Sequence, residues 1–495
     1  MISFLPRTQP TILLVFLGAL LQYILGYFFW TSYCASSSNP TANHVFPFEF
    51  DGKITCIIRD FDSEASDLEG TSAAIDAVGE VARIVVVSER KLYPPVNSPS
   101  PKVVYFETQP SVRLGVPAKK LRDIVQTQWV LLLPDGVRPS RQSLYDSLRQ
   151  TTTSNPAVKI WAFRVRGKRA SCQSVRMDWK RWTLTMNNSA PVGDVCDAVT
   201  GSVVYLLRSV DFLNLPEPLL QPVGESLLVQ SLSLGWKTHI FGETLFARSD
   251  KLLDPQMLAH QRSNHDDHVR DLYDRFQIKQ TVKNGHVELF GCTKATPRCF
   301  GNVINDTPSY LYEGRWTPPC CINALKATLQ HVIEVFDFNG VAYWLEGGSL
   351  LGAARNGQLI PWDYDIDLGM FLNETKKIQY LEAAREGPVA DPDGFTWELA
   401  QPGEGQFYRV HYSRTNRLHV DIFPFYANNS VMTKDFWFRS HPQDREFPED
   451  FLTPMESAGF LGLTVAVPNR RREFLELKFG KGCIENPKYP RDFKL

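Results

Sequence analysis

Glu346-Gly347-Gly348-Ser349-Leu350-Leu351-Gly352-Ala353-Ala354-Arg355-Asn356-Gly357-Gln358-Leu359-Ile360-Pro361-Trp362-Asp363-Tyr364-Asp365-Ile366-Asp367, residues 346–367, is the stretch that decides how the second half of this chain folds. Asp363, Asp365 and Asp367 alternate with Tyr364 and Ile366 and run into Leu368-Gly369-Met370-Phe371. That alternation has the period of a β-strand and predicts carboxylates on one face, roughly 7 Å apart. Like charges gathered in this way repel. Hard divalent cations with oxygen ligands are the usual counterweight, and such ions commonly hold phosphates. Upstream, Gly347-Gly348-Ser349 precedes a small-residue helix, Leu350 to Arg355. Its free N-terminal N–H groups accept an anion, and Arg355 adds a charge. Either half alone is commonplace, a solvated strand edge or a plain turn. Within one glycine–helix–loop–strand unit they point to a metal-dependent site for a phosphorylated substrate.

The flanks of this unit extend an α/β pattern. Ile322 to Phe338 carries apolar residues at helical spacing and is stopped by Asn339-Gly340, and Val341-Ala342-Tyr343-Trp344-Leu345 reads as a strand feeding the glycine turn. Downstream, His419-Val420-Asp421-Ile422-Phe423-Pro424-Phe425 is a second strand pattern with His419, Asp421 and Phe423 on one face. Asp421 could complete the metal site or take a proton from an attacking hydroxyl, whereas His419 fits equally well as a core histidine bonded to backbone. Gln443-Asp444-Arg445-Glu446-Phe447-Pro448 and Glu485-Asn486-Pro487-Lys488-Tyr489-Pro490 are polar, Pro-marked loops that either touch a ligand or close the fold.

The first half has its own α/β pattern. Residues 54–58, 82–87, 102–106 and 129–133 read as short buried strands with helical stretches between some of them, which predicts a mostly parallel sheet. The fourth ends in Pro134-Asp135-Gly136, with one acid where nucleotide-sugar glycosyltransferases carry a metal-binding pair. This reads as a glycosyltransferase-like scaffold without catalytic acids. Residues 251–290 turn polar, and His265-Asp266-Asp267-His268 within them is read as a solvated helix start linking two domains rather than a metal cluster.

At 495 residues the chain is too long for one core. Hydrophobic content of 43% is that of a packed globular protein, and a net charge of −1 without a basic run argues against nucleic acid as a partner. Residues 11–30 form an apolar run of bilayer-spanning length ending in Tyr27-Phe28-Phe29-Trp30. Arg7 precedes it and no Lys or Arg follows until Lys53, which places residues 1–10 in the cytosol and the bulk of the chain in a lumen. A cleaved signal peptide is the competing reading of the same run. Residues 31–50 look like a stalk, 51–288 like a stem domain and 289–495 like a catalytic domain. Asn187-Asn188-Ser189 and the sequons at Asn305, Asn373 and Asn428 are acceptor sites in keeping with a luminal location.

Nine cysteines fall into two informative groups. Cys172 and Cys196 can pair as a disulfide in a lumen. Cys292, Cys299, Cys320 and Cys321 suit either two disulfides or four thiolates around tetrahedral zinc. Cys34, Cys56 and Cys483 have no evident role.

Trp316-Thr317-Pro318-Pro319-Cys320-Cys321, the stretches Tyr343 to Arg355 and Ile360 to Gly369, His419-Val420-Asp421 and Phe474 to Gly480 together resemble the fukutin-related proteins. These sit within the wider family of bacterial phosphocholine transferases, which shares the Gly-Gly-Ser and Asp-x-Asp-x-Asp elements. The match runs from about residue 289 nearly to the end and continues more weakly through the first domain. The resemblance implies a nucleotidyltransferase-like α/β catalytic domain in a Golgi single-pass type II membrane enzyme. That enzyme would move ribitol 5-phosphate from CDP-ribitol onto the O-mannosyl glycan of α-dystroglycan, where a first ribitol phosphate already stands. It implies Mg²⁺ or Mn²⁺ on Asp363, Asp365 and Asp367, which with Tyr364 and Ile366 also contact the donor. Gly348, Arg355 and Trp362 would seat the donor, with Gln443, Asp444, Asn486, Pro487 and Lys488 in later donor loops. It also implies structural zinc on Cys292, Cys299, Cys320 and Cys321 in a finger loop over residues 291–321, and a homo-oligomer working beside other Golgi enzymes of that pathway. A nucleotidyltransferase and a non-catalytic glycan-binding scaffold are the competing classes.

Overall fold

The computed structural model describes residues 54–487, less the segments 63–65, 79–80, 93–99, 109–117, 140–154, 250–253 and 401–404 and positions 243, 299, 301–302, 305–306 and 439–440. The tail, the apolar run at 11–30 and the stalk therefore lie outside the described residues, as do Cys34, Cys299, Asn305 and Lys488. Among the described residues no helix is long and apolar enough to cross a membrane.

Val- and Ile-rich runs build the stem sheet, as their β-branched side chains favour. Ile54–Ile58 is buried along its whole length. It lies between Val81–Ser88 and Trp129–Leu132 with both pairings parallel, and Val103–Glu107 adds in parallel at the edge. Beyond Trp129–Leu132 the sheet becomes mixed. Val203–Arg208 pairs antiparallel with it and with Val158–Arg166, and Lys237–Ile240 then returns parallel to Val158–Arg166. A second sheet of five strands runs from Ala198–Gly201 through Ala170–Asp178, Thr183–Asn188 and Gln280–Lys283 to His286–Leu289. The boundary expected at 288–289 falls inside that last strand. Cys172 and Cys196 are joined by a disulfide. Asn187 is exposed near the end of Thr183–Asn188.

Asp135 does not face an open site. Its carboxylate accepts from the Asp67 backbone N–H at 2.6 Å and from Thr71 Oγ1 at 2.9 Å, which ties the end of Trp129–Leu132 to the start of helix Leu68–Asp76. His265-Asp266-Asp267-His268 corrects the sequence expectation. It sits in the middle of helix Pro255–Arg275, not at a helix start, because Asp254 caps that helix by accepting from the Gln256 and Met257 N–H groups.

The catalytic half rests on helix Pro319–Phe338, which begins with Pro at its first position, where a missing N–H costs nothing. Its buried Leu325, Leu329, Val332 and Phe336 belong to one core with Trp344, Trp397, Phe425 and Phe474. The sheet orders Tyr343–Leu345, Ile366–Phe371, His419–Asn428, Tyr408–His411, Thr396–Leu399 and Val389–Ala390. Ile366–Phe371 and His419–Asn428 run parallel with Asp367 directly opposite Asp421, so the two acidic motifs share one register. Helix Gly347–Asn356, the hairpin Glu456–Phe460 with Leu463–Val467, and helix Arg471–Phe479 close the unit.

Stem and catalytic halves meet at Trp182, which is buried. Trp182 Nε1 donates to the Trp316 carbonyl at 2.7 Å, and the Trp316 N–H donates to the Lys180 carbonyl at 2.9 Å. The Arg315 guanidinium lies 4.4 Å over the Trp182 ring.

Candidate active site

The three acids do not sit on one strand as their alternation predicts. The strand begins at Ile366, so only Asp367 belongs to it, while Asp363 and Asp365 lie in the turn after Pro361. Proline restricts the chain there, and long-range contacts fix the turn: Thr317 Oγ1 donates to the Asp363 carbonyl at 2.5 Å and the Thr317 N–H to the Pro361 carbonyl at 2.9 Å. The carboxylates still converge, and all three line one cavity of about 940 Å³ together with Asp421.

The glycine turn is shaped by the same convergence. Gly347 has φ +51°, and a Cβ on Gly348 would stand 2.5 Å from Asp363 Oδ2, so neither position tolerates a side chain without displacing an acid. Ser349 Oγ accepts the Asp367 N–H at 3.0 Å, which locks the helix start to the strand. At the floor, Lys478 pairs with Glu346, whose other oxygen accepts from Trp344 Nε1 at 2.9 Å.

Burial and mutual repulsion set the electrostatics. Burial pushes Asp363 up to about 6. Asp365 stands well above the carboxylate range because of burial and then the charges of Asp367, Asp363 and Asp421, and Asp367 is raised in the same way with Lys434 partly opposing. Such a group needs a cation. The donors are hard oxygens, the chemistry of Mg²⁺ or Mn²⁺, so the residues fit that ion. Asp421 is held on both oxygens by Arg409, at 2.8 Å from Nε and 3.1 Å from Nη2. Its remaining lone pairs suit a cation better than an attacking hydroxyl.

Arg355, Trp362, Tyr364, Gln443, Asp444 and Asn486 all line the cavity. Arg355 Nη2 donates to the Cys483 carbonyl at 2.6 Å, and Asp444 pairs with Lys434 at 2.8 Å. Ile366 is fully buried and Pro487 is exposed, and neither is among the residues that line the cavity. Sequence reasoning placed Phe423 on the Asp421 face but missed Phe407 and Phe438, which complete an aromatic wall with it, and the cations Arg298, Arg409 and Lys434. Lys434 is buried, with the Phe423, Phe438 and Trp437 rings 4.4, 5.3 and 5.0 Å away, and burial lowers it. These residues are far apart in sequence, and nothing local marks them.

The Sγ atoms of Cys292, Cys320 and Cys321 lie within 4.8 Å of one another and all three residues are buried. Cys292 and Cys321 are 3.0 Å apart, longer than an S–S bond of about 2.05 Å. Three close sulfurs of this kind fit a tetrahedral zinc site.

The family model described as Fukutin-related protein stem domain matches residues 41–284, and LicD/FKTN/FKRP, nucleotidyltransferase domain, matches residues 340–470. Ribitol 5-phosphate transferase FKRP of Homo sapiens is 40% identical over 444 residues, 88% of this chain and 88% of that protein. The chain belongs to the fukutin-related protein family. The Mus musculus protein of the same name is also 40% identical over 88% of each chain. Ribitol-5-phosphate transferase FKTN of Homo sapiens is 24% identical over 160 residues, 32% of this chain and 32% of that protein. In this fukutin-related chain the cavity acids Asp363, Asp365, Asp367 and Asp421 all fall inside the nucleotidyltransferase match.

Proposed function

We propose that the chain is a ribitol 5-phosphate transferase that takes ribitol 5-phosphate from CDP-ribitol and adds it to a ribitol-phosphate-primed O-mannosyl glycan of α-dystroglycan, releasing CMP. The observation that carries this reading is the convergence of Asp363, Asp365, Asp367 and Asp421 in one cavity of a chain 40% identical to ribitol 5-phosphate transferases over most of its length.

The reaction is a displacement at phosphorus, where positioning and charge neutralisation supply most of the rate. A divalent ion on the aspartates would neutralise the donor pyrophosphate and stabilise departing CMP. The first turn of helix Gly347–Asn356 presents N–H groups to a phosphate, and Arg355 and Lys434 supply nearby positive charge. Phe407, Phe423 and Phe438 offer a stacking wall for cytosine. Arg409 holds Asp421 in place. Zinc on Cys292, Cys320 and Cys321, with Cys299 as fourth ligand, would brace the loop that carries Arg298 to the cavity rim. On the same reading residues 11–30 anchor the enzyme in the Golgi membrane with the catalytic half luminal, and it works as a homo-oligomer.

Product nucleotide analysis separates this from nucleotidyl transfer. Incubation with CDP-ribitol and primed glycopeptide should yield CMP in step with acceptor consumption. No CMP in that incubation, with pyrophosphate released in a parallel one that contains CTP and ribitol 5-phosphate instead, would replace the proposal by the nucleotidyltransferase reading.

A further inference from the structure

We propose that His419 is a nitrogen ligand of the active-site cation, so that the site holds Mn²⁺ in preference to Mg²⁺. The inference rests on reading the acidic cavity as a divalent-cation site, and it specifies which ion and which fourth side chain.

His419 opens the strand His419–Asn428, two residues before Asp421 and on the same face, and only 9% of it is exposed. Its Nδ1 lies 3.0 Å from the Arg417 carbonyl. A carbonyl only accepts, so Nδ1 carries the proton and Nε2 presents a lone pair. That lone pair makes no hydrogen bond and faces the cavity, 3.9 Å from Asp365 Oδ2 and 3.9 Å from Asp421 Oδ1. Donor atoms of all three residues lie within 4.8 Å of one another. Ligands on one ion with bonds of about 2.1 Å stand about 3 Å apart when adjacent and about 4.2 Å apart when opposite, which brackets the two separations from His419 Nε2.

A core histidine has both nitrogens satisfied by protein. His419 has one, and the one it has is the arrangement that orients metal-binding imidazoles: the far nitrogen donates to a backbone carbonyl and fixes the tautomer. The ring is also braced from behind by His411, 5.6 Å away and edge-on, which is itself held by Glu398 at 2.7 Å. In the parallel pairing Ile366 faces Val420 and Asp367 faces Asp421, so Asp365 and His419 each immediately precede the first paired residues. Imidazole is a favourable ligand for first-row transition ions. Mg²⁺ takes oxygen and keeps its waters, so a nitrogen in the set biases the choice.

The test is electron-spin-echo spectroscopy of the full-length chain in detergent loaded with Mn²⁺ alone, beside a Mn²⁺ titration. A ¹⁴N modulation from a directly bound imidazole is expected. His419→Asn should lose it and weaken Mn²⁺ binding about tenfold or more, with a smaller loss for Mg²⁺. His419→Asp restores an oxygen donor. It should still load the ion, without the ¹⁴N signal, and shift preference toward Mg²⁺, which shows that loss of signal is not loss of fold. Mn²⁺ bound without ¹⁴N modulation, or modulation that persists in His419→Asn, overturns this inference and leaves the cation site standing. Failure of the wild-type chain to bind Mn²⁺ overturns both.

Discussion

Asp365 stands where three other carboxylates act on it, Asp363, Asp367 and Asp421, and each raises the cost of its charge. Replacing it with Asn removes a cation ligand and relieves that repulsion. Asp365→Asn should therefore abolish transfer while the metal-free melting temperature stays level or rises; a large drop would mean the carboxylate has a structural role. The pH dependence follows in sign. The folded-state values of Asp363, Asp365 and Asp367 lie above the usual carboxylate value of about 3.9, and Asp363 is near 6. Stability from their protonated forms is complete below about pH 4 and is lost as pH rises through 6. Protein dialysed free of weakly bound divalent ions should melt at a lower temperature at pH 7.5 than at pH 5.5, and saturating Mn²⁺ should remove most of that difference. A flat profile in the metal-free protein would contradict the electrostatic account. These acids were legible because four of them recur in two short motifs. Their placement in a turn was not, because the contacts that hold it come from Thr317, 46 residues away.

The glycine–helix unit, by contrast, was legible as an element, although the helix begins at Gly347 rather than the Leu350 expected and so takes in the glycines expected to precede it. Gly348→Ala puts a methyl group on Asp363 and should cut transfer at least about tenfold, since a misplacement of 1 Å at a reacting centre can cost far more. Activity near wild type would mean Asp363 can move without consequence. Helix Pro319–Phe338 was equally plain from its apolar spacing and its Asn339-Gly340 stop, although it begins three residues earlier than the Ile322 expected, at Pro319. Cys320 and Cys321 lie in the first turn of that helix, so the zinc site would pin its start. Cys321→Ser should release zinc, read by a chromophoric chelator, and lower the melting temperature. A wild-type chain that carries no zinc would return the cysteines to the disulfide reading. The parallel strands at 54–58, 82–87, 102–106 and 129–133 were visible as apolar runs. The antiparallel additions were not, because period alone says nothing about a partner's direction.

The seam between the halves of the molecule depends on residues that carry no motif. Trp182 has φ +57° and belongs to the catalytic core cluster although it lies in the stem, and no local pattern marks it. Trp182→Ala removes a buried indole, its bond to the Trp316 carbonyl and the surface under Arg315. It should cost about 3–5 kcal/mol in denaturant unfolding and separate the stem and catalytic transitions. An unchanged single transition would mean the seam does not couple them. The molecule as a whole is accounted for as a stem scaffold in which the strand-end acid Asp135 is tied into structure, joined to a catalytic half whose acids face a cavity. The direct test is mass spectrometry of a ribitol-phosphate-primed glycopeptide incubated with the chain, CDP-ribitol and Mn²⁺ or Mg²⁺. A mass gain of one ribitol phosphate is predicted, lost on chelation and lost in Asp365→Asn. No gain from folded wild-type protein, or a gain indifferent to metal and to Asp365, would contradict the account.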